Sequence, residues 1–242
     1  NGLVDHCDIR GNHAYAFERS ANGGGVALFG GGIISNSIIA NNLVDGNPGY
    51  MNDGGGIYAS AGEIVNCSII SNVAPIGGPS GRGGAMYFDS GVPVARNCLV
   101  TRNMAYFGAV YMAGGELDNV TVTRNRLCVA LDVYYGTIVN SIIISNDFSN
   151  YTNRNIDGIL YRNSCTEPAI PGAYDGGGNI MADPLFADYT GYNFRLQAGS
   201  PCVDTGTNMD WMTGARDVDG NFRIWITNVD IGAYECGFAI TN

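Results

Sequence analysis

The chain has 242 residues, of which 36 are glycine and only 14% are charged, and this composition is typical of a turn-rich globular protein rather than a disordered chain. The formal net charge of −10 and the pI near 4.4 disfavour nucleic-acid binding, which needs a basic surface, and tight binding of polyanionic glycans unless a cation bridges. All twelve basic residues are arginine, so no lysine is available as a Schiff-base former or general base.

Pairs of asparagines six positions apart recur along the first two thirds of the chain. A first coil fits less well, with His6 and Asn12 in the two positions. The five later pairs are Asn36/Asn42, Asn66/Asn72, Asn97/Asn103, Asn119/Asn125 and Asn140/Asn146. The shorter steps between pairs indicate a bare repeat of about 22 residues, and the two longer steps carry Gly/Pro-rich inserts at 46–53 and 74–82.

A second block of alternating apolar residues precedes each asparagine pair. It reads GGVAL (24–28), GGIYA (55–59), GAMYF (84–88), GAVYM (108–112) and LDVYY (131–135). Each bare repeat therefore holds about three short runs of period-2 alternation, which predict strands and leave no room for a helix. We predict an all-β parallel β-helix with three strands per coil, whose corners are occupied by Gly and Asn because these residues tolerate positive φ.

The alternation also predicts which residues stack in inward columns. One column contains Ile39, Ile69, Val100, Val122 and Ile143, and a second contains Val26, Ile57, Met86, Val110 and Val133. We predict coils over residues 1–165. Residues 166–242, which are richer in Pro and Gly and depart from the repeat, should form an irregular closing segment or cap of the same domain.

Two parts of the sequence resemble known proteins. The blocks GGGIY (54–58) and GGAMY (83–87), with the turns IISN (69–72) and VTRN (122–125), resemble the repeats of polymorphic outer-membrane proteins, which are bacterial surface adhesins. The C-terminal stretches 182–206, 216–224 and 229–235 look like the closing segment of bacterial right-handed parallel β-helix repeat proteins, many of which carry a choice-of-anchor sorting region. The resemblance implies a right-handed helix and an exported bacterial protein at the cell surface or outside the cell. It implies little about activity, because this superfold also contains pectate lyases and polygalacturonases.

Catalytic signatures of the enzymes in this superfold are absent from the sequence. Neither an adjacent Asp pair nor a His flanked by glycines occurs, and His6 and His13 are interpreted as corner or surface residues. Glu63 and Glu116 share an outward column two coils apart, so their separation should be about 10 Å, slightly more than an inverting glycosidase uses. They remain weak candidates for an acid and a base, and Asp89, Asp118 and Asp132 could join the same patch. The simpler interpretation is that these carboxylates are solvated charges on the surface.

The sequence predicts no metal, no cofactor and no membrane insertion. The stretch DVDGN (217–221) fails the spacing of a calcium loop and is interpreted as an Asp/Gly turn. No apolar run is long enough to span a bilayer. Of the seven cysteines, Cys7, Cys67 and Cys98 share an inward column and are interpreted chiefly as small buried apolar residues, while Cys67/Cys98 and Cys202/Cys236 are candidate bridges.

A column of tyrosines is the best functional clue in the sequence. Tyr58, Tyr87, Tyr111 and Tyr134 follow an inward residue in four successive coils, so they should point outward as a strip about 15 Å long. The strip could stabilise neighbouring coils, lie buried beneath the C-terminal segment or another subunit, or stack against sugar rings. The two inserts could form a wall along one side of it.

Two functions fit these observations. The favoured hypothesis is a non-catalytic extracellular β-helix for adhesion or structural assembly, whose partner is a polysaccharide or another protein subunit, with head-to-tail self-association through open strand edges. The alternative is a polysaccharide hydrolase or lyase that acts on an outer face near Glu63 and Glu116.

Overall fold

The computed structural model describes residues 2–76, 80–154, 158–225 and 227–237. Strands and turns account for nearly all of this part, and its one described helical element is a single 3-10 turn at Asp210–Met212. No helix in these residues is long and apolar enough to cross a membrane.

Three parallel sheets form the body of the molecule, and each coil contributes one strand to each sheet. The first sheet contains β1 (Leu3–Asp5), β6 (Ile33–Ser35), β11 (Glu63–Val65), β15 (Val94–Arg96), β18 (Glu116–Asp118), β21 (Gly136–Val139) and β24 (Ile159–Arg162). The second contains β2 (Asp8–Arg10), β7 (Ile38–Ala40), β12 (Ser68–Ile70), β16 (Leu99–Thr101), β19 (Thr121–Thr123), β22 (Ile142–Ile144) and β25 (Cys165–Thr166). The third contains β5 (Val26–Leu28), β10 (Ile57–Ala59), β14 (Met86–Phe88), β17 (Val110–Met112), β20 (Leu131–Val133) and β23 (Tyr151–Asn153).

Smaller sheets line the corners and the C-terminal segment. Two of them are parallel, β4 (Ala21–Asn22) with β9 (Asn52–Asp53) and β13 (Gly81–Arg82), and β3 (His13–Ala16) with β8 (Leu43–Gly46). An antiparallel hairpin, β26 (Phe186–Asp188) with β27 (Asn193–Leu196), belongs to the C-terminal segment. The predicted all-β parallel β-helix is therefore confirmed.

Most of the predicted inward columns form the core. Ile39, Ile69, Val100, Val122 and Ile143 pair in register through the second sheet, and all five are fully buried. Val26, Ile57, Met86 and Val110 pair in register in the third sheet, where Val26 is half-buried and the other three are fully buried. A three-residue strand in the third sheet turns its first and last side chains inward and its middle one outward, because side chains alternate along a strand.

The prediction for the fifth coil was wrong by two residues. Val110 pairs with Leu131 and Tyr111 with Asp132, so Val133 lies opposite Met112 and Tyr134 follows the end of β20. A shift of two residues keeps the inward and outward alternation, so the sequence pattern alone could not reject it. Asp132 therefore takes the place in the tyrosine column that Tyr134 was expected to fill.

The two asparagines of each pair have different structural roles. The first one, as in Asn66 and Asn97, adopts a positive φ near 50° at a corner, and His6 adopts the same conformation in the first coil. The second one, as in Asn72 and Asn103, is fully buried and donates its amide to the next coil's asparagine, which gives a continuous ladder. At the corner that contains the second asparagine, the residue with the positive φ is the one just before that asparagine, for example Arg102.

The C-terminal segment covers both the end and one flank of the β-helix. Bridges from Tyr161 to Asp175 and from Cys165 to Ile180 extend the coil pattern beyond residue 165 and close the end. Further along, the hairpin and parts of 202–225 and 227–236 pack on the outer face of the second sheet, with Phe186, Phe194 and Ile231 against Leu99 and Ile142. The predicted cap is thus also a lateral covering, and it buries outward apolar residues that a bare coil would expose.

Candidate functional site

The third sheet presents a short stack of tyrosines on its outer face. Tyr58, Tyr87 and Tyr111 occupy the middle position of successive strands and pair in register. Their ring centroids are 5.4 and 5.2 Å apart and the rings are nearly parallel. The coil spacing of about 4.8 Å places each ring directly beside the next one, in the offset-stacked arrangement that aromatic pairs favour.

These three tyrosines point away from the coil interior but are not open to solvent. Each is only 5–7% exposed, because Phe29, Arg82 and Phe107 cover the stack. The Arg82 guanidinium lies 4.7 Å from the Tyr87 ring centroid and 5.2 Å from that of Tyr111. The stack therefore joins neighbouring coils, and the faces of these rings are not available to a ligand.

Arginine–aspartate pairs flank the tyrosine stack. Arg82, at the end of the second insert, donates two hydrogen bonds of 2.7 and 2.6 Å to Asp53, at the end of the first insert. Arg154 makes the same two-pronged contact with Asp132. Both carboxylates are almost fully buried. A planar guanidinium fits a carboxylate in this geometry, so both arginines are held in fixed orientations.

Burial and nearby charges shift the acidities in this region. Burial raises the pKa of Tyr111 to about 12, and it also raises the pKa values of Tyr58 and Tyr87. The hydroxyls therefore stay protonated at neutral pH, and the Tyr58 hydroxyl donates a 2.7 Å hydrogen bond to Asp89. Burial also raises the pKa of Asp53, against the opposing effect of Arg82. Asp89, which the sequence suggested as a member of an acidic patch, is thus engaged by a tyrosine of the stack.

A cleft of about 180 Å³ opens at one end of the stack, and we call it the outer cleft. It is lined by Met51, Arg82, Phe107, Tyr111, Tyr134 and Arg154. Tyr134 is 38% exposed and its ring lies 5.8 Å from that of Tyr111, tilted by 44°. The inserts supply Met51 and Arg82, which form one wall. Of the four predicted tyrosines, Tyr134 is thus the one with a ring open to a ligand, even though it lies outside the strand column.

The carboxylates proposed as acid and base lie on the first sheet, away from the tyrosine stack. Glu63, Val94 and Glu116 pair in register, as the sequence predicted. Arg96 contacts Glu63 at 3.0 Å and Asp118 at 3.4 Å, and Trp211 of the C-terminal segment lies against its guanidinium. Glu63 therefore has a cationic partner, and the neighbouring Asp118 is buried.

Burial and the nearby Glu116 raise the pKa of Asp118 to about 6. A pKa raised by folding means that the native state holds the proton more tightly, so this group's stabilising contribution is full below about pH 4 and is lost as pH rises to about 6. We expect Asp118 to account for a loss of about 3 kcal/mol of unfolding free energy through this window, and Asp118→Asn to lack that part of the wild-type pH dependence. Urea unfolding at pH 4 and pH 7 measures it. Glu18→Gln, at an exposed site, is the control, and equal pH slopes in both variants would contradict the expectation.

The cysteines and the DVDGN stretch, which are the remaining predicted features, have structural roles. Cys67 and Cys98 are buried in adjacent coils, where their thiols donate to the Val65 and Arg96 carbonyls, and no disulfide is present among the described cysteines. Cys7, predicted in the same inward column, is exposed. Cys202 packs beside Cys165 rather than forming a bridge to Cys236. In DVDGN (217–221), Asp217 accepts hydrogen bonds from the Asp219 and Asn221 amides, which makes the predicted turn. No group of three or more His, Cys, Asp or Glu in the described ranges is placed to hold a metal ion.

The repeat pattern does not identify the arginines of this site. Arg82 and Arg154 do not share a position in the repeat, and their contacts depend on inserts and turns. The Arg82–Asp53 pair could have been predicted from the sequence, because an arginine ends one insert and an aspartate ends the insert one coil earlier.

Comparison with known proteins gives one match. The family model described as right handed beta helix region matches residues 1–127. No curated protein matches the chain, and no solved structure does.

Proposed function

The chain belongs to the right-handed β-helix family, and from this premise we propose that it is a non-catalytic adhesion module that binds a neutral saccharide in the outer cleft. The proposal places the protein outside a bacterial cell or at its surface, as the resemblance of its repeats to surface adhesins suggests. Family membership alone does not select this function, since β-helix proteins include enzymes and non-enzymes.

One observation carries the proposal. The outer cleft combines aromatic and arginine side chains, while the adjoining carboxylates, Asp53 and Asp132, are buried in two-pronged pairs with Arg82 and Arg154. An aromatic ring beside fixed hydrogen-bond donors suits a sugar, which offers an apolar ring face and hydroxyl oxygens. Carboxylates so engaged are poorly placed to serve as the acid and base of hydrolysis. The cleft is smaller than the roughly 300–1,000 Å³ typical of drug-sized ligands, so it would accept about one ring.

Adhesion is favoured over growth of a head-to-tail fibre. In such a fibre the strand edges of the first coil would pair with the last coil of another copy. Here the last coil is covered by the segment that includes Asp175 and Ile180, and Ile170 and Tyr174 pack on the core beneath it. A copy could dock there only after that segment moved.

The test is a binding measurement with Tyr134→Ala. We expect one member of a panel of neutral plant, algal and bacterial oligosaccharides to bind wild type in calorimetry, and Tyr134→Ala to lower its affinity about tenfold through loss of the ring contact. Tyr135→Ala is the matched control, because Tyr135 is 53% exposed and does not line the outer cleft. Equal affinity in the two variants would contradict the proposal.

The same panel distinguishes the enzymatic alternative. The observation that favours it is the carboxylate group of Glu63, Glu116 and Asp118, in which Asp118 has a pKa of about 6. If wild type releases new reducing ends or unsaturated sugars, and Glu63→Gln or Glu116→Gln abolishes that release without unfolding the chain, then the protein is a hydrolase or lyase. Equal rates in wild type and both variants would exclude these two residues from catalysis.

A further inference from the structure

A second cleft lies on a different face, where one corner of the β-helix meets the C-terminal hairpin. We call it the arginine cleft, and its volume is about 420 Å³. Its lining residues are Arg102, Arg124, Arg126, Ser145, Asp147, Tyr189 and Tyr192. Backbone hydrogen bonds join Arg102 to Arg124 and Arg124 to Ser145 in successive coils, and all three residues have a positive φ. Their side chains therefore leave the backbone at the same corner of each coil.

The hairpin tyrosines hold the guanidinium groups in position. Arg102 lies 4.7 Å from the Tyr192 ring centroid, and Arg124 lies 4.6 Å from that of Tyr189 and 4.4 Å from that of Tyr192. Arg124 also donates a 2.7 Å hydrogen bond to the Tyr189 carbonyl. An arginine stacked on an aromatic ring keeps the N–H groups at its edge available for hydrogen bonds. The stacking therefore orders two cations before any ligand arrives.

These arginines differ from others in the chain by having no carboxylate partner. Six arginines make ion pairs, namely Arg10, Arg82, Arg96, Arg154, Arg195 and Arg223. Within the described ranges, Arg102, Arg124 and Arg126 make none, and the buried Nε of Arg102 has no hydrogen-bond partner. A guanidinium without a carboxylate partner keeps N–H donors that an anion can engage with charge-assisted hydrogen bonds. The three arginines outweigh the one carboxylate of the cleft, Asp147, which accepts from the Leu127 amide.

A larger cleft adjoins this one. It has a volume of about 550 Å³, shares Ser145 and Tyr189 with the arginine cleft, and includes Met181, Phe186 and Gln197 in its lining. Because the two clefts meet at these shared residues, a ligand with its charge at the arginines could extend over the apolar and amide groups of the second cleft. The arginine cleft by itself is larger than an inorganic ion needs.

We propose that the arginine cleft binds the oxyanion, a carboxylate or a sulfate ester, of a sugar residue in an oligosaccharide that continues into the adjoining cleft. The edges of Arg102 and Arg124 hold the oxyanion, and the exposed rings of Tyr189 and Tyr192 contact the sugar. The net charge of −10 does not prevent this, because salt screens charges beyond about 8 Å and the local charge is positive. The negative chain as a whole favours a ligand with one or two charges over a dense polyanion. The site is independent of the outer cleft.

The test uses calorimetry on the whole chain with matched ligands. The first is an oligosaccharide that ends in a uronic acid, the second is the same molecule with its carboxyl reduced to the alcohol, and the third is a sulfated analogue. We expect the charged ligands to bind at least tenfold more tightly than the reduced one, and salt to weaken their binding. Arg102→Gln and Arg124→Gln should each lower affinity for the charged ligand about ten- to hundredfold.

Three controls keep the test decisive. Arg19→Gln removes an exposed arginine elsewhere, and Tyr134→Ala disables the outer cleft, so both should bind the charged ligand as wild type does. Asp147→Asn removes the opposing charge and should raise affinity severalfold, which loss of folding cannot imitate. Equal affinity for the charged and reduced ligands, no effect of either arginine variant, or inorganic sulfate binding as tightly as the oligosaccharides would each overturn the proposal.

Discussion

Replacing Asn103 with alanine is expected to lower the free energy of unfolding by about 3–5 kcal/mol. The Asn103 amide is fully buried and donates to the Ile69 and Thr101 carbonyls and to Asn125, at 2.9–3.0 Å. Its carbonyl accepts from the backbone and side-chain amides of Asn72. Alanine leaves these buried groups without partners, and each such group costs about 1–3 kcal/mol. Urea unfolding followed by circular dichroism measures the loss.

Asn12→Ala is the matched control, since Asn12 has the same place in the ladder but lies exposed in the first coil. Its side chain donates to Asn42, and water can replace that contact. We expect a loss of about 0.5–1 kcal/mol there. Similar losses at both positions would show that the ladder contributes through something other than buried hydrogen bonds.

Replacing Arg223 with methionine is expected to cost about 3–5 kcal/mol at pH 9, where Glu235 is ionised, because it leaves a buried carboxylate without its cation. Arg223 is fully buried, contacts Glu235 at 2.9 Å and donates to the Gly232 and Asp230 carbonyls. Glu235 in turn accepts from the Asp230 amide. The pair therefore holds together the part of the C-terminal segment that covers the second sheet.

The loss of unfolding free energy in Arg223→Met should also depend on pH. Burial raises the pKa of Glu235 to about 8, so its stabilising contribution is full below about pH 4.5 and is lost as pH rises through about 8. Without Arg223 the pKa rises further, so Arg223→Met should be more destabilised relative to wild type at pH 9 than at pH 6. The double variant Arg223→Met/Glu235→Gln keeps an acceptor for the Asp230 amide and should recover about half of the loss. A double variant less stable than the single one would contradict this account.

The register of the fifth coil shows where sequence reasoning reaches its limit. The block LDVYY (131–135) can align on GAVYM (108–112) through the shared valine and tyrosine, or two residues earlier through Leu131. Both alignments send the same set of side chains inward, so periodicity cannot separate them. The structure pairs Leu131 with Val110, which leaves Asp132 facing Arg154 and moves Tyr134 to the rim of the outer cleft.

The candidate sites, too, could be predicted only in part. The tyrosine column and the Glu63–Glu116 column could be predicted, because identical spacing from the corners places residues in one column. The exposure of the two columns could not be predicted, because Arg82 covers Tyr87 from an insert and Trp211 reaches Arg96 from more than a hundred residues away. The arginine cleft also depends on a distant segment, the hairpin that carries Tyr189 and Tyr192.

The all-β coil, its corners and most of its core columns could be predicted from the residue pattern alone. These are local properties, because alternation and the tolerance of Asn and Gly for positive φ act within a few residues and repeat in every coil. The tertiary structure decided the strand register at Leu131, the burial of the tyrosine stack and the position of both clefts. Each of these depends on contacts between segments far apart in the chain, and a local pattern carries no information about which distant side chain will cover a given face.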